Sequence, residues 1–204
     1  MRILHLSWEY PPLVYGGLGR HVHALAEAQA ATGHDVTVIT QQVENSSDGP
    51  CAADEVVNGV RVIRVPHDPP ALPFDEEHLL AWVMSLESAF TRQGLEVIDQ
   101  VRPRVIHAHD WMVSHTAMAL RSAARALDPE AALVATIHAT EAGRHQGWLP
   151  TTLSESIHAV EWWLVHEADR VIACSAHMRW EIGRLFSLDE STIDVIPNGI
   201  DLRR

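Results

Sequence analysis

Three polar or aromatic side chains follow two separate apolar runs, at the points where buried strands of a sheet would end. Asp110 and Trp111 follow the run Pro103–Ala108, and His138 follows the run Ala132–Ile137. Because ligands of open α/β sheets bind at the carboxyl ends of the strands, we expect these side chains to face one crevice. A histidine there is a candidate catalytic or binding group, while a carboxylate and an indole ring can contact sugar hydroxyls and a sugar face.

Each of these residues also has a structural interpretation. One ring nitrogen of His138 can satisfy a loop carbonyl, and Asp110 can cap the helix that follows it. His107 and His109 are two residues apart on one strand, so they point to the same side and, with Asp110, suggest a metal site. The sequence contains no third ligand motif, and we therefore expect no metal ion.

A glycine loop near the N-terminus is the second place suited to a ligand. Gly16, Gly17 and Gly19 lie between an apolar run and a segment whose apolar residues recur with helical spacing. The N-terminus of such a helix favours phosphate or carboxylate through its free N–H groups and its dipole. The spacing differs from the dinucleotide fingerprint and no acidic residue closes the next strand, which argues against a dehydrogenase. A tight turn that requires glycine is the structural alternative.

Aromatic rings and a carboxylate accompany the glycines. Glu9 stands between Trp8 and Tyr10, and Tyr15 directly precedes the paired glycines. Rings beside a carboxylate suit a carbohydrate, which presents apolar C–H faces and many hydroxyl donors. The alternative is that Trp8 and Tyr10 only pack the loop.

Two further sets of residues carry weaker predictions. Arg144 has a planar fork that suits an anionic group, and a solvated surface arginine is the alternative. Trp162 and Trp163 are adjacent on a predicted helix, where packing explains them better than a ligand groove does.

The composition excludes several classes of protein. A formal net charge of −12 over 204 residues argues against nucleic acid or an anionic membrane as the main partner. No apolar run approaches the length of a transmembrane helix, and no signal sequence precedes the first strand. Cys51 and Cys174 are too few for a disulfide framework, which favours a cytoplasmic location.

Strand and helix patterns alternate along the chain, and this predicts an α/β fold. We expect a Rossmann-like, mostly parallel sheet with helices on both faces. Asn58-Gly59 between β-branched runs predicts a hairpin, and Asp75 is the expected N-cap of a long helix. Thr152 with Glu155 predicts a capping box at the start of a later helix, and Ser175 is the expected cap of the last helix.

Five segments appear in the order typical of one known family. They resemble motifs of the retaining glycosyltransferases of family 4, especially the glycogen-synthase-like members of the actinobacterial α-1,4-glucosyltransferase type. The segments are Ser7–Pro12 with Gly16–Val22, His107–Trp111, Thr136–Glu141, Ala173–Met178 and Val195–Asp201. The resemblance implies the N-terminal half of a GT-B fold, with residues 1–196 as the acceptor-side domain. Residues 197–204 would begin the linker to a C-terminal donor-binding domain that lies outside this chain.

The same resemblance assigns roles to residues. It implies catalytic roles for His138 and Asp110 and acceptor contacts for Glu9, Tyr15 and Trp111. It implies donor contacts or hinge positions for Gly16, Gly17, Asn198 and Gly199. The implied substrates are ADP- or UDP-glucose and an α-1,4-glucan or related oligosaccharide, without any cofactor. More distant starch-synthase relatives carry a lysine where Tyr15 stands, so a phosphate-pairing role does not transfer to that position.

Two other functions fit parts of the sequence. One is a carbohydrate- or nucleotide-binding module without catalysis, and the other is a sugar-nucleotide epimerase fragment of the same architecture. The segments Trp8–Pro12 and His109–Trp111 favour the glucan transferase.

Overall fold

The computed structural model describes residues 1–42, 53–70 and 72–199, and an eight-stranded sheet runs through it. The strands are β1 (Arg2–Leu6), β2 (Asp35–Gln41), β3 (Asp54–Val57), β4 (Val60–Val65), β5 (Val105–His109), β6 (Ala132–Ile137), β7 (Arg170–Ala173) and β8 (Ile193–Val195). Their order across the sheet is β3-β4-β2-β1-β5-β6-β7-β8. Every neighbouring pair is parallel except β3 with β4. The mostly parallel sheet is therefore confirmed.

Helices cover the two faces of this sheet unequally. They are α1 (Gly17–Ala31), α2 (Leu79–Val101), α3 (Ser114–Leu127), α4 (Glu141–Arg144), α5 (Thr152–Glu167) and α6 (Ala176–Phe186). Helix α1 packs on Val36 and Val38 of β2, whereas α2, α3, α5 and α6 join the larger core that contains Ile39 of the same strand. Because adjacent strand residues point to opposite faces, helices lie on both faces, which confirms the predicted α/β fold.

Two local predictions are confirmed and explain how the chain reverses or restarts. Asn58 (φ 50°) and Gly59 (φ 83°) form the turn between β3 and β4, and both occupy the left-handed region that this hairpin requires. The Ser175 side chain accepts a hydrogen bond from the Met178 N–H and caps α6.

Two predicted helix starts are wrong by one or more residues. Asp75 accepts from the His78 N–H (2.9 Å), but this closes a separate turn, and α2 begins only at Leu79. The cap of α5 is Thr151, whose extended backbone lets its hydroxyl accept from the Ser154 N–H, while Thr152 is already helical. Sequence patterns place helix ends only approximately, and here a separate turn at Asp75 and the adjacent Thr151 set the boundaries.

The predicted linker is described only in its first part. Residues 197–199 follow β8 without regular secondary structure, and residues 200–204 lie outside the described residues. Among the helices that the described ranges contain, none is both long enough and apolar enough to span a bilayer.

Candidate functional site

The loops after β1, β5 and β6 enclose a cleft of about 390 Å³ at the carboxyl edge of the sheet. All of the predicted site residues except Gly199 line it: Glu9, Tyr15, Gly16, Gly17, Asp110, Trp111, His138 and Asn198. Gly199 lines an adjoining cavity, which shares Gly17 and Asn198 with the cleft. Strand order explains this convergence, because β1, β5 and β6 are direct neighbours.

Asp110 has an unusual backbone conformation. Its φ of 60° and ψ of −178° fall in a region that is almost reserved for glycine, at a cost of roughly 1–3 kcal/mol. The conformation points its carboxylate at the next strand, where Oδ1 accepts from the His138 N–H (2.6 Å). The side chain makes no cap bond to the turn Trp111–Val113, so the capping alternative is wrong. Burial raises the pKa of Asp110 to about 7.

His138 is held at both its backbone and its ring. The N–H of the backbone donates to Asp110, and Nε2 of the ring lies 3.2 Å from Nδ1 of His109. Nε2 of His138 therefore pairs with another imidazole and not with a loop carbonyl. Burial lowers the pKa of His138 to about 4, so the ring is neutral at neutral pH.

The glycine loop is organised around the carboxylate of Glu9. Its Oε2 accepts from the N–H groups of Tyr15 (2.9 Å) and Gly16 (3.0 Å). A Cβ atom on Gly19 would lie 2.9 Å from the Cβ of Glu9, so this glycine permits the close approach. The Gly16 N–H is thus already bonded within the loop, and a role of Glu9 at an acceptor stays a prediction.

The start of α1 faces the cleft without a side-chain cap. Its N-cap is Gly16, and its first turn contains no acidic residue. A Cβ atom on Gly16 or Gly17 would meet no atom within 4 Å, so a ligand has room against the backbone here. The Glu9 carboxylate already holds the Gly16 N–H, and the N–H groups that follow it, with the helix dipole, make this position suitable for a phosphate group.

Aromatic rings form one wall of the cleft and continue beyond it. The ring of Trp8 stacks on Tyr15 at a centroid distance of 5.4 Å, and Phe74 lies 6.0 Å from Tyr15. Tyr15 is 65% exposed and Phe74 is 49% exposed, so both rings offer free faces. Sequence analysis missed Phe74 because it follows a proline-rich loop and has no periodic partner.

Arg144 lines the cleft at the end of α4. Its charge opposes part of the rise in the pKa of Asp110. Glu161 of α5 holds the start of this helix, because its Oε1 accepts a hydrogen bond from the Glu141 N–H (2.8 Å). Burial raises the pKa of Glu161 to about 8. Arg144 is exposed to solvent and borders the cleft.

Five histidines lie together beneath the cleft: His5, His21, His107, His109 and His138. Sequence analysis identified His107, His109 and His138 but missed His5 and His21. The signal for His5 is strand register, because β1 and β5 pair His5 directly with His107. Burial lowers the pKa of His5 and of His21 to about 4.

Two triads of these histidines have ring nitrogens close enough to share a metal ion. Within each triad, one nitrogen of every ring lies within 4.8 Å of the other two. The triads are His5, His107 and His109, and His21, His109 and His138. Several of these nitrogens already pair with each other. His107 Nε2 lies 2.7 Å from the Thr136 hydroxyl oxygen. The expectation of a metal-free site stays a prediction.

The paired tryptophans lie away from the cleft. Trp163 packs against the larger core, and Trp162 stacks on His166 at 4.1 Å on the surface of α5. Packing is therefore the correct interpretation for Trp163.

Comparisons with known proteins agree with this fold. The family model described as Glycosyltransferase Family 4 matches residues 15–204. A glycogen synthase of Mycobacterium tuberculosis is 49% identical over 100% of this chain and 49% of its own length. An alpha-maltose-1-phosphate synthase of the same species is 30% identical over 98% of this chain and 45% of its own length. The sucrose-phosphate synthase of Thermosynechococcus elongatus superposes with a TM-score of 0.75 at 21% identity, covering 98% of this chain and 49% of that one.

The architecture is that of the GT-B glycosyltransferases. The chain belongs to glycosyltransferase family 4. It spans about half the length of the curated relatives that it matches.

The strain at Asp110 predicts that glycine is a more stable replacement than alanine at this position. Asp110→Gly and Asp110→Ala both remove the carboxylate, but only glycine relieves the backbone conformation. We expect Asp110→Gly to be the more stable variant by roughly 1–2 kcal/mol, after the greater chain entropy of glycine is subtracted. Urea unfolding of both variants measures the difference. A more stable Asp110→Ala would contradict the assigned backbone conformation.

The burial of His109 predicts that the loss of unfolding free energy in His109→Gln depends on pH. Burial holds the pKa of His109 well below its usual value, so its contribution to stability is complete above about pH 6.5 and is lost on acidification. Between pH 7 and pH 5, His109 of the unfolded parent protein takes up a proton, whereas a glutamine does not. The substitution therefore lowers the free energy of unfolding by about 2 kcal/mol less at pH 5 than at pH 7. Unfolding curves at the two pH values measure this. The exposed His177→Gln is the control, and an equal cost of His109→Gln at both pH values would refute the prediction.

Proposed function

We propose that the complete protein is a retaining glucosyltransferase. It moves an α-glucosyl unit from ADP- or UDP-glucose to the non-reducing end of an α-1,4-glucan or related oligosaccharide. One observation carries the proposal: a single cleft combines a helix N-terminus that has no acidic residue in its first turn, a hydrogen-bonded Asp110–His138 pair and exposed aromatic rings. Membership of family 4 and the 49% identity to a protein named glycogen synthase support it.

The donor diphosphate occupies the glycine side of the cleft in this proposal. The N–H groups at the start of α1 and the guanidinium of Arg144 both favour negative charge there. Gly17 leaves room for the phosphates, and Asn198 borders the same space. The second half of the protein supplies the remaining donor contacts, and Asn198 and Gly199 lie where the chain passes toward it.

The transferred sugar lies against Asp110 and His138. The neutral ring of His138 offers a hydrogen bond and a polarisable face, and it adds no positive charge next to an oxocarbenium-like centre. Asp110 already holds the His138 backbone, so we assign it to hydroxyl binding and orientation and not to nucleophilic attack. The leaving phosphate of the donor then takes the proton from the attacking hydroxyl on the same face.

The acceptor approaches along the aromatic wall. Tyr15 and Trp111 line the cleft, and Phe74 extends the ring surface outward from Tyr15. Stacking of pyranose faces on such rings gives affinity without a demand for one fixed hydroxyl pattern. Glu9 holds the loop that carries Tyr15, so its contribution to the acceptor site includes the position of that ring.

We propose that transfer proceeds without a bound metal or organic cofactor, because positioning groups and the donor phosphate suffice for the step. We also propose a cytoplasmic location, which the low cysteine content supports.

A transfer assay tests this function with the full-length protein. Radiolabelled ADP-glucose and UDP-glucose are each combined with maltooligosaccharides in the presence of EDTA. We expect elongated α-1,4 products, and a loss of at least about a hundredfold in kcat for His138→Ala, because removal of one preorganised site group commonly costs this much. The exposed His177→Ala is the matched control and is expected to keep full activity.

Other outcomes separate the rival functions. Transfer to glucose 1-phosphate and not to maltooligosaccharides would change the acceptor, in line with the relative named alpha-maltose-1-phosphate synthase. Inverted product stereochemistry would reject the retaining mechanism. Formation of an epimer of the labelled sugar, or binding of sugars without turnover, would reject the transferase.

A further inference from the structure

A continuous line of ring contacts connects α1 with His138 across the sheet. Oε1 of Gln29 lies 2.7 Å from Nε2 of His5. Nδ1 of His5 lies 3.1 Å from Nε2 of His109, and Nδ1 of His109 lies 3.2 Å from Nε2 of His138. All of these separations are hydrogen-bond distances. We call this series of four side chains the imidazole relay.

The chemistry of neutral imidazole gives the relay one direction. Each ring carries one N–H and one lone pair, so it donates at one nitrogen and accepts at the other. With the Gln29 amide in this orientation its oxygen can only accept, which places the proton of His5 on Nε2. His5 Nδ1 then accepts from His109 Nε2–H. By the same argument His109 Nδ1 accepts from His138 Nε2–H, and the lone pair of His138 is on Nδ1.

Burial keeps the relay in the neutral form that this argument needs. The pKa values of His5 and His138 fall to about 4, and that of His109 lies well below its usual value. A protonated ring would carry two N–H groups and would break the series at that point. The relay therefore has a single direction at neutral pH.

The free nitrogen of His138 remains available to a ligand. Within the described part of the chain, the hydrogen-bond partner of Nδ1 is the Cys174 thiol, at 3.8 Å, and a thiol is a weak donor. His138 also borders the cleft. A hydroxyl group is a stronger donor than the thiol and can replace it at Nδ1.

We propose that Gln29, His5 and His109 are positioning residues that hold His138 in its Nε2–H tautomer, so that Nδ1 accepts a hydrogen bond from a hydroxyl of the bound sugar. The identity of the hydroxyl donor rests on the proposed function, whereas the tautomer rests only on the hydrogen bonds of the relay. His109 and Asp110 are adjacent, so one short segment orients both the ring and the backbone of His138.

Nitrogen-15 NMR of the full-length protein, labelled only at histidine, measures the tautomer directly. The signals of His138 are those that disappear in His138→Gln. We expect a protonated Nε2 and a bare Nδ1 between pH 6.5 and pH 8. A proton on Nδ1, or rapid averaging between the two tautomers, would overturn the proposal.

Variants of Gln29 test whether the far end of the relay controls His138. Gln29→Leu removes the terminal acceptor, and we expect mixed tautomers with kcat lowered about tenfold and an unchanged acceptor KM, as befits one lost hydrogen bond. Gln29→Glu keeps an acceptor oxygen and, measured at pH 8 so that His5 stays neutral beside the carboxylate, should restore both the tautomer and most of kcat. Gln100→Leu, at an exposed position on α2, is the control.

The outcomes distinguish the relay from the proposed function. Unchanged tautomer and kcat in Gln29→Leu would reject the relay, as would a failure of Gln29→Glu to restore them. The expected tautomer in a parent protein that transfers no glucose would support the relay and reject the function. If Gln29→Leu does not fold, the tautomer of the parent and the behaviour of Gln29→Glu decide the matter.

Discussion

The hydrogen bond from the His138 backbone to Asp110 joins the ends of two neighbouring strands, and the cleft depends on it. Asp110 reaches the His138 N–H only because its own backbone adopts a conformation that is unfavourable for any residue with a side chain. Such strain persists where the surrounding structure holds it, here the pairing of β5 with β6 and the backbone bond from Asp110 N–H to Thr136. The strand pairing thus stabilises the strained backbone conformation of Asp110.

Around this bond, each loop contributes a different part of the cleft. The loop after β1 brings an uncapped helix start and aromatic rings, and the carboxylate of Glu9 holds that loop in one shape. The loop after β6 brings Arg144, which Glu161 positions through α4. Beneath them, a layer of neutral histidines replaces the apolar residues that usually fill a parallel sheet. Buried polar groups of this kind require mutual hydrogen bonds, and these bonds restrict the orientation of His138.

The sequence predicted the fold well because its signals are local and repeated. Alternating strand and helix patterns defined the α/β class, and Asn58-Gly59 defined the hairpin. The strand patterns placed Asp110 and His138 at the ends of two successive strands, and the structure brings them together. What sequence analysis missed depends on register and on side-chain geometry. His5 lies beside His107 only through the pairing of β1 with β5, and Phe74 reaches Tyr15 only through the path of an irregular loop.

The most direct test of the central claim is a crystal structure of the full-length protein with a nucleoside diphosphate and a maltooligosaccharide. We predict the diphosphate within hydrogen-bond distance of the N–H groups at the start of α1, with the terminal glucose between His138 and the aromatic wall of Tyr15 and Trp111. A diphosphate that makes no contact with the cleft described here, or an oligosaccharide bound on another face of this chain, would contradict the account.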